Sequence, residues 1–197
     1  MEKVKLNNKW NFIKSDGTYL SDIWFDDVYA FKDDFAIVEL NTKCNYLKPD
    51  GTYLSEIWFD KVKYFRNRFG IVKLNNKLNY INENGELISD IWFDVVYIFT
   101  EGFAIVELNN KYNFINENGK LLSDIWFDGV NDFNNEIARV KLNNKWNFVK
   151  TDGTYLSDIW FDYAKYFHND VVNVKIKNEW YELDYKGNIK FCGYVKE

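Results

Sequence analysis

The sequence predicts an all-β fold made of six tandem repeats of 34 residues, and three observations support this prediction. A Leu-Asn-Asn-Lys segment begins at Leu6 and recurs at this interval without insertion or deletion, with a worn sixth copy at Ile176. An Ile-Trp-Phe-Asp motif around Trp24 keeps the same interval, as does a turn glycine first found at Gly17. Short alternating apolar and polar stretches join these landmarks, as is typical of half-buried strands. A fixed period of this kind predicts a repeat architecture.

The predicted domain covers residues 1–197 as one array of repeats. The approximate bounds of the six units are 1–22, 23–56, 57–90, 91–124, 125–158 and 159–197.

Each unit is predicted to contain four short strands, of which the first two form a hairpin. The first strand type, residues 35–40, alternates between apolar side chains and a charged one. The turn at Asn41-Thr42, which is Asn-Asn in most copies, suits a tight hairpin because Asn tolerates positive φ. The second strand type, residues 10–14, places Trp10 and Asn11 on opposite faces. We therefore expect one face of this strand to be aromatic and the other to carry an amide.

A glycine turn leads into the other two strand types. Gly17 supplies the left-handed conformation of that turn, and a brief third strand follows at residues 18–20. The fourth strand, residues 23–31, ends in a polar turn that returns to the first strand type. Tight turns thus link the fourth, first, second and third strands as one antiparallel meander, the connectivity of a propeller blade. The sequence favours a six-bladed propeller-like ring, closed by Tyr194-Val195, with an open β-solenoid as the alternative.

Composition and charge narrow the function classes. A formal net charge of −5 argues against a nucleic-acid surface and against binding to anionic membranes. The first residues lack the apolar core of a secretory signal, so we expect a cytoplasmic protein, with a mature secreted form as the alternative. Richness in Asn, Lys, Ile and Tyr suggests an AT-rich genome, bacterial or phage.

The repeated motifs resemble the bacterial WG-type (KWG) β-repeat. The resemblance rests on Lys9-Trp10-Asn11-Phe12-Ile13, on the Gly17 turn and on Trp24-Phe25-Asp26-Asp27-Val28. It extends to the segment 97–106, where Glu101-Gly102-Phe103-Ala104 matches that family's final element. The resemblance implies a repeat scaffold that acts as an interaction module without catalytic residues. The family's Gly after Trp is Asn in five of the present repeats, which either leaves room there or creates a polar row.

Two repeated polar positions are candidate binding residues. The Asn position would line one face with amide donors and acceptors, and we expect it to form a polar binding strip; edge-strand solvation is the alternative. A repeated Asp would hydrogen-bond backbone amides at a bend or, alternatively, gather a cation or a cationic partner. The candidate residues are Asn11, Asn45, Asn79, Asn113, Asn147, Asp26, Asp60, Asp94, Asp128 and Asp162. Lysines such as Lys9 border the Asn position, and we expect them to be solvated hairpin tips.

The remaining motifs favour packing over chemistry. Trp24 and its four equivalents are expected to form the core between repeats, with an exposed aromatic platform that stacks on sugar rings or bases as the alternative. His168 stands in a polar turn, and Cys44 replaces an aromatic residue, so neither indicates catalysis. No metal-binding cluster, cofactor motif or nucleophile motif appears in the sequence. We therefore expect a protein that is not an enzyme and needs no metal or cofactor.

The predicted function is a binding scaffold for a protein or peptide partner over a face made by several repeats. The alternative is recognition of a small polar ligand or glycan in pockets lined by aromatic, Asn and Asp residues. Partner specificity is expected where the copies differ. Those variable positions are Asp27, Lys61, Val95, Gly129 and Tyr163.

Overall fold

The computed structural model describes residues 1–32 and 34–193, and every regular element in this part of the chain is a β-strand. The chain divides into two compact units, Met1–Val96 and Tyr97–Glu197. The first contains β1 (Glu2–Leu6), β2 (Lys9–Ile13), β3 (Asp27–Val28), β4 (Ala36–Leu40), β5 (Lys43–Leu47), β6 (Lys61–Val62), β7 (Phe69–Leu74), β8 (Lys77–Asn82) and β9 (Val95–Val96). The second contains β10 (Phe103–Leu108), β11 (Lys111–Asn116), β12 (Gly129–Val130), β13 (Ile137–Leu142), β14 (Lys145–Lys150), β15 (Tyr163–Ala164), β16 (Val171–Ile176), β17 (Glu179–Asp184) and β18 (Ile189–Gly193). The all-β prediction is confirmed.

Each unit consists of small antiparallel sheets whose strands follow one another in sequence order. The first unit has the pair β1–β2 and the sheets β3–β4–β5 and β6–β7–β8. The second has the pair β10–β11 and the sheets β12–β13–β14 and β15–β16–β17–β18. These are meanders in the predicted order of fourth, first, second and third strand types. Tyr194-Val195, expected to close a ring, lies outside the described residues, and the single domain over 1–197 stays a prediction.

Two of the four predicted strand types are shorter than expected. The fourth, expected over residues 23–31, is reduced to two residues in β3, β6, β12 and β15. The third is a single bridge in most repeats, such as Ile13 with Tyr19, and continues as a full strand only in β18 among the described residues. Side-chain hydrogen bonds from the buried asparagines described below hold the connecting backbone instead of a ladder.

The hairpin turns have the backbone conformation that the sequence predicts. Asn7 and Asn8 have φ of 48° and 62°, and Asn41 and Thr42 have φ of 50° and 65°. Two consecutive residues with positive φ define a type I′ turn, whose twist matches that of the flanking strands. The turn before β13 is of the same kind, although Asn135 and Glu136 occupy it. Asn at the first position therefore favours this turn, although Lys177 takes that position between β16 and β17.

The turn glycines also join successive repeats. A Cβ on Gly85 would lie well inside van der Waals contact of the Leu54 carbonyl oxygen in the preceding repeat. Gly51 meets Leu20 in the same way, whereas a Cβ on Gly17 would meet nothing within 4 Å. The glycine is therefore required twice, for positive φ and for close packing of one repeat on the next.

In the repeated Ile-Trp-Phe-Asp motif, the fully buried aromatic residue is Phe and not Trp. The Phe that follows each Trp is fully buried, at Phe25 and its equivalents Phe59, Phe93, Phe127 and Phe161. Trp24 and its equivalents are only half-buried, and Trp24 packs edge-on against Tyr19 with ring centroids 5.0 Å apart. Ile23, which precedes Trp24, is 42% exposed. The prediction that Trp forms the core between repeats is confirmed only in part: Phe fills the interior, whereas Trp58, Trp92 and Trp160 are half-buried and pack against the buried clusters.

Candidate functional site

The repeated asparagines lie in the interior and bind the protein's own backbone. Nδ2 of Asn79 donates to the carbonyl oxygens of Ser89 and Ile91, at 2.7 and 3.3 Å, and its Oδ1 accepts from the Tyr80 N–H at 2.8 Å. Equivalent bonds to the corresponding Ser carbonyl and following N–H are made by Asn11, Asn45, Asn113 and Asn147. All five residues are 0% exposed. The prediction that these asparagines form a binding strip at the surface is therefore wrong. They are buried, and their amides bind the backbone segment that connects one repeat to the next.

The repeated aspartates join the hairpin tips of successive repeats. Oδ1 of Asp60 accepts from Nζ of Lys43 at 2.5 Å, and its Oδ2 accepts from the backbone N–H of Asn75 at 2.7 Å. Asp26 makes the same two contacts, with Lys9 and Asn41. Lys–Asp pairs at the equivalent position also involve Asp94, Asp128 and Asp162. These lysines, expected as solvated tips, are thus partners in ion pairs.

These contacts lower the pKa of the carboxyl groups. The hydrogen bond from Lys43 holds the pKa of Asp60 below its ordinary value, and the Asn75 N–H adds to the effect. The pKa of Asp26 and that of Asp162 are lowered for the same two reasons. A carboxylate with both oxygens engaged is a structural link between repeats. The backbone-amide interpretation of these aspartates agrees with the structure, although the amide lies fifteen residues further along the same repeat rather than at a local bend, and the lysine belongs to the preceding repeat.

The positions that vary between repeats lie side by side across the strands. In an antiparallel ladder, directly opposed residues point to the same face of the sheet. Each row combines the first residue of the short strand, a charged residue of the central strand and the residue before the buried Asn. These variable rows are Asp27–Glu39–Cys44, Lys61–Lys73–Leu78, Gly129–Lys141–Trp146 and Tyr163–Lys175–Trp180. The sequence analysis identified the first residue of each row, and the strand register of the structure shows which two residues lie beside it.

The row that ends at Trp146 adjoins an arginine held between two aromatic rings. Cζ of Arg139 lies 4.3 Å from the ring centroid of Trp146 and 4.1 Å from that of Tyr166. Its Nε–H donates to Oδ1 of Asn131 at 3.1 Å, and Nη1 donates to the Ala164 carbonyl at 2.7 Å. The guanidinium is thus fixed in a cleft of about 430 Å³ between successive sheets of the second unit. Sequence reasoning missed Arg139, for which the only signal was the change of residue type at this repeat position.

The row that ends at Cys44 borders a cleft of a different character. A cavity of about 570 Å³ lies between β3–β5 and β6–β8, lined by Tyr29, Ile37 and Tyr64 besides Cys44 and Glu39. Cys44 is half-buried rather than fully buried. Burial, followed by the charge of Glu39, raises the pKa of its thiol, so the thiol stays protonated at neutral pH. The smaller side chain leaves open the space that an aromatic residue fills in four other repeats.

No group of His, Cys, Asp and Glu that could hold a metal ion occurs among residues 1–32 and 34–193. His168 is exposed at a turn, where its backbone bridges to Val171. Within the described part of the chain, no helix is long and apolar enough to cross a membrane.

A family model described as WG containing repeat matches residues 12–44, 80–112 and 114–146, together half of the chain. The chain therefore belongs to the WG-repeat family, as its motifs predicted. Where the family pattern has Gly after Trp, five repeats of this chain have the buried Asn. Its amide hydrogen-bonds the backbone segment that connects one repeat to the next.

Comparison with known proteins adds no specific activity. No protein of curated function matches the chain. Among solved structures, it is similar to KlHsv2 with loop 6CD replaced by a Gly-Ser linker, at 9% identity over 79% of this chain and 61% of that chain, with a TM-score of 0.40. Kluyveromyces lactis Hsv2p shares 11% identity over 93% and 70%, at 0.37. Streptogramin B lyase shares 13% over 96% and 77%, at 0.33. The chain spans less than two thirds of the first of these.

Proposed function

We propose that this protein is a non-catalytic scaffold that binds a protein or peptide partner through its variable rows. One observation carries the proposal. The invariant polar residues are engaged in structural bonds, whereas a row of changing side chains lies on one face of each sheet. The buried amide of Asn79 and the paired carboxylate of Asp60 illustrate the first group. Half-exposed Trp146 and Trp180, at the ends of their rows, illustrate the second.

The composition of the rows suits a peptide or protein surface. Tyr, Trp and Arg are enriched in protein interfaces because they combine apolar area with hydrogen bonding. Rows with Tyr163, Lys175 and Trp180 side by side supply this mixture. The repeated sheets form the scaffold, and each variable row gives its repeat a different surface. For the whole array we retain the six-bladed propeller-like ring, with the open solenoid as the alternative; scattering in solution separates the two.

The test is selection of a displayed random peptide library on the intact protein, followed by affinity measurement with row-swap variants. Trp146→Leu copies Leu78, and Lys141→Glu copies Glu39, so each replacement already occurs at the same repeat position. The proposal expects enriched peptides whose binding falls in these variants while the urea midpoint of unfolding is retained. If no peptide is enriched, or if enriched peptides bind the swap variants unchanged, the proposal is wrong.

A second candidate function, binding of a small ligand, is favoured by the cavity beside Cys44. Its volume of about 570 Å³ and its Tyr29 and Tyr64 walls are those of a small-molecule pocket. Cys44→Trp restores the residue found at Trp10 and Trp146 and would fill the space. A fragment screen by protein-observed NMR should therefore give shifts around Tyr64 in the native chain and none in Cys44→Trp. Identical shifts in both proteins would exclude this candidate.

A further inference from the structure

We infer that Arg139, stacked on Trp146 and Tyr166, is the centre of a site for a carboxylate side chain of an acidic peptide. This inference rests on the proposed function and names its partner class.

The guanidinium is already fixed in the unbound protein. Two rings hold its faces, and two hydrogen bonds hold its Nε and Nη1. A guanidinium has five N–H donors in a rigid fork that matches the two oxygens of a carboxylate. Its other N–H groups have no acceptor among residues 1–32 and 34–193. Because the side chain is preorganised, binding a carboxylate there costs little further rotamer entropy.

The strand of Arg139 carries a second cation, Lys141, although the chain carries a net charge of −5. Nζ of Lys141 lies 5.5 Å from the Trp146 ring, and Lys165 and Lys175 belong to the following repeat. Two framework aspartates of this unit are already paired, Asp128 with Lys111 and Asp162 with Lys145. Asp132 lines the same cleft, and its negative charge opposes these positive charges. The positive charges of Arg139 and Lys141 outnumber the negative charge of Asp132, so this part of the surface favours an anionic partner.

The aromatic rings favour a peptide over a nucleic acid or a glycan. Arg139 covers faces of Trp146 and Tyr166, and Nζ of Lys165 lies 5.2 Å from the Trp180 ring. Rings with a protein cation on one face offer less surface on which a base or sugar can stack. Tyr166 remains 65% exposed, so it offers apolar area beside the charge. Acidic peptides with interspersed apolar residues present that combination.

Other repeats lack this arrangement. The equivalents of Arg139 are Lys3, Ile37, Ile71, Ile105 and Asn173. Lys3 is the nearest match, with Nζ 4.8 Å from the Trp10 ring, but Ala30 stands where the fifth repeat meets Tyr166. A lysine has no planar fork and is not bidentate. Lys3 is therefore the matched control for Arg139.

The experiment titrates a short, end-blocked peptide of Glu, Leu, Gly and Ser, and its counterpart with Gln in place of Glu, into the full chain. We expect the Glu peptide alone to bind. Arg139→Gln and Arg139→Lys should each raise Kd at least about tenfold, since both remove the fork at an interface centre. Lys3→Gln should change Kd less than about twofold, as expected of a charge outside the site. Unfolding midpoints show whether each variant is folded, and Arg139→Ile, which copies Ile37, serves as a second loss variant.

The outcomes separate the two proposals. If Arg139→Lys binds like the native chain, or Lys3→Gln weakens binding equally, diffuse charge explains the effect and the inference is overturned. Tighter binding of a single-stranded oligonucleotide than of the Glu peptide overturns it as well. If library peptides bind through the variable rows but carry no acidic residues, the inference fails and the scaffold proposal stands. If no peptide binds at all, both fail.

Discussion

The carboxylate of Asp60 accepts a 2.7 Å hydrogen bond from the backbone N–H of Asn75, fifteen residues further along the chain. The same carboxylate pairs with Lys43, seventeen residues earlier. One side chain thus links the hairpin tips of two successive repeats. The period of the sequence is therefore a consequence of a contact that must be reproduced at every step.

This link makes stability depend on acid pH. The folded-state pKa of Asp60 lies below that of the unfolded chain, about 3.9 for Asp. The stabilisation is therefore complete above that value and is lost as pH falls through the folded pKa. Asp60→Asn should lower the urea midpoint at pH 7, and the difference from the native chain should shrink as the pH falls through the folded pKa, because the carboxyl group then becomes neutral like the amide. Asp124→Asn, at an exposed position of a crossing segment, is the control. A difference that is independent of pH would contradict this link.

The buried amide predicts a large loss of stability. Asn79→Ala leaves the Ser89 and Ile91 carbonyls and the Tyr80 N–H without a side-chain partner. An unsatisfied buried group costs about 1–3 kcal/mol, and only the Tyr80 N–H bond is fully buried, since the two carbonyls are partly buried and can bind water. We therefore expect the free energy of unfolding to fall by about 2–4 kcal/mol. Asn84→Ala makes the same chemical change at an exposed turn and should cost less than about 0.5 kcal/mol. Equal urea midpoints for the two variants would exclude the structural role.

Glycine substitutions separate backbone strain from repeat packing. Gly85→Ala and Gly17→Ala both place Ala at positive φ, of 86° and 83°. Only the first brings a Cβ against the preceding repeat, at Leu54. We expect Gly17→Ala to cost about 1–2 kcal/mol, and Gly85→Ala to cost about 1–3 kcal/mol more. Urea denaturation of both variants measures the difference, and a smaller effect at Gly85 would contradict the packing.

Grafting tests whether the arginine site is sufficient. Tyr29→Asn, Ile37→Arg, Glu39→Lys and Cys44→Trp together copy Asn131, Arg139, Lys141 and Trp146 into the second repeat. Tyr64 already stands at the position of Tyr166. We expect calorimetry to show one additional acidic-peptide site in the graft. An unchanged stoichiometry in a folded graft would mean that the copied side chains do not define the site.

A single change at the rim should strengthen binding. Asp132 lines the cleft of Arg139 and opposes an incoming carboxylate. Asp132→Asn removes this charge and should lower Kd for the Glu peptide about two- to fivefold at low salt, with a smaller effect at high salt. Glu117→Gln, at an exposed turn, is the control. Weaker binding by Asp132→Asn would contradict the assigned charge.

Local signals in the sequence were sufficient for the period, the hairpin turns and the all-β class. Asn7 and Asn8 show this, because the residues themselves favour positive φ. The orientation of Asn11 was not predictable from alternation, because each sheet has buried side chains on both faces: Asn79 is buried on one and Tyr80 on the other. Alternation separates two faces but does not say which face meets solvent.

The residues of the arginine site escaped prediction for a different reason. Tyr166 comes from the repeat after that of Arg139, and their contact follows from how successive sheets pack. The Phe and Trp of the repeated motif are similarly large and apolar, so composition could not tell that Phe25 would be buried and Trp24 half-buried. Comparison of the repeats can indicate a special residue only where one copy differs from the others, as at Arg139.

The central claim is that invariant residues hold the repeats while variable rows bind the partner. Its most direct test measures Kd for the Glu peptide and the urea midpoint in two variants of the fifth repeat. The row swap, which here also changes the adjoining arginine (Arg139→Ile with Lys141→Glu), should lose binding at least about tenfold and retain the midpoint. Asn147→Ala should lower the midpoint through its lost bonds to Ser157 and Phe148. A row swap that binds like the native chain, or an Asn147→Ala protein as stable as the native one, would contradict the account.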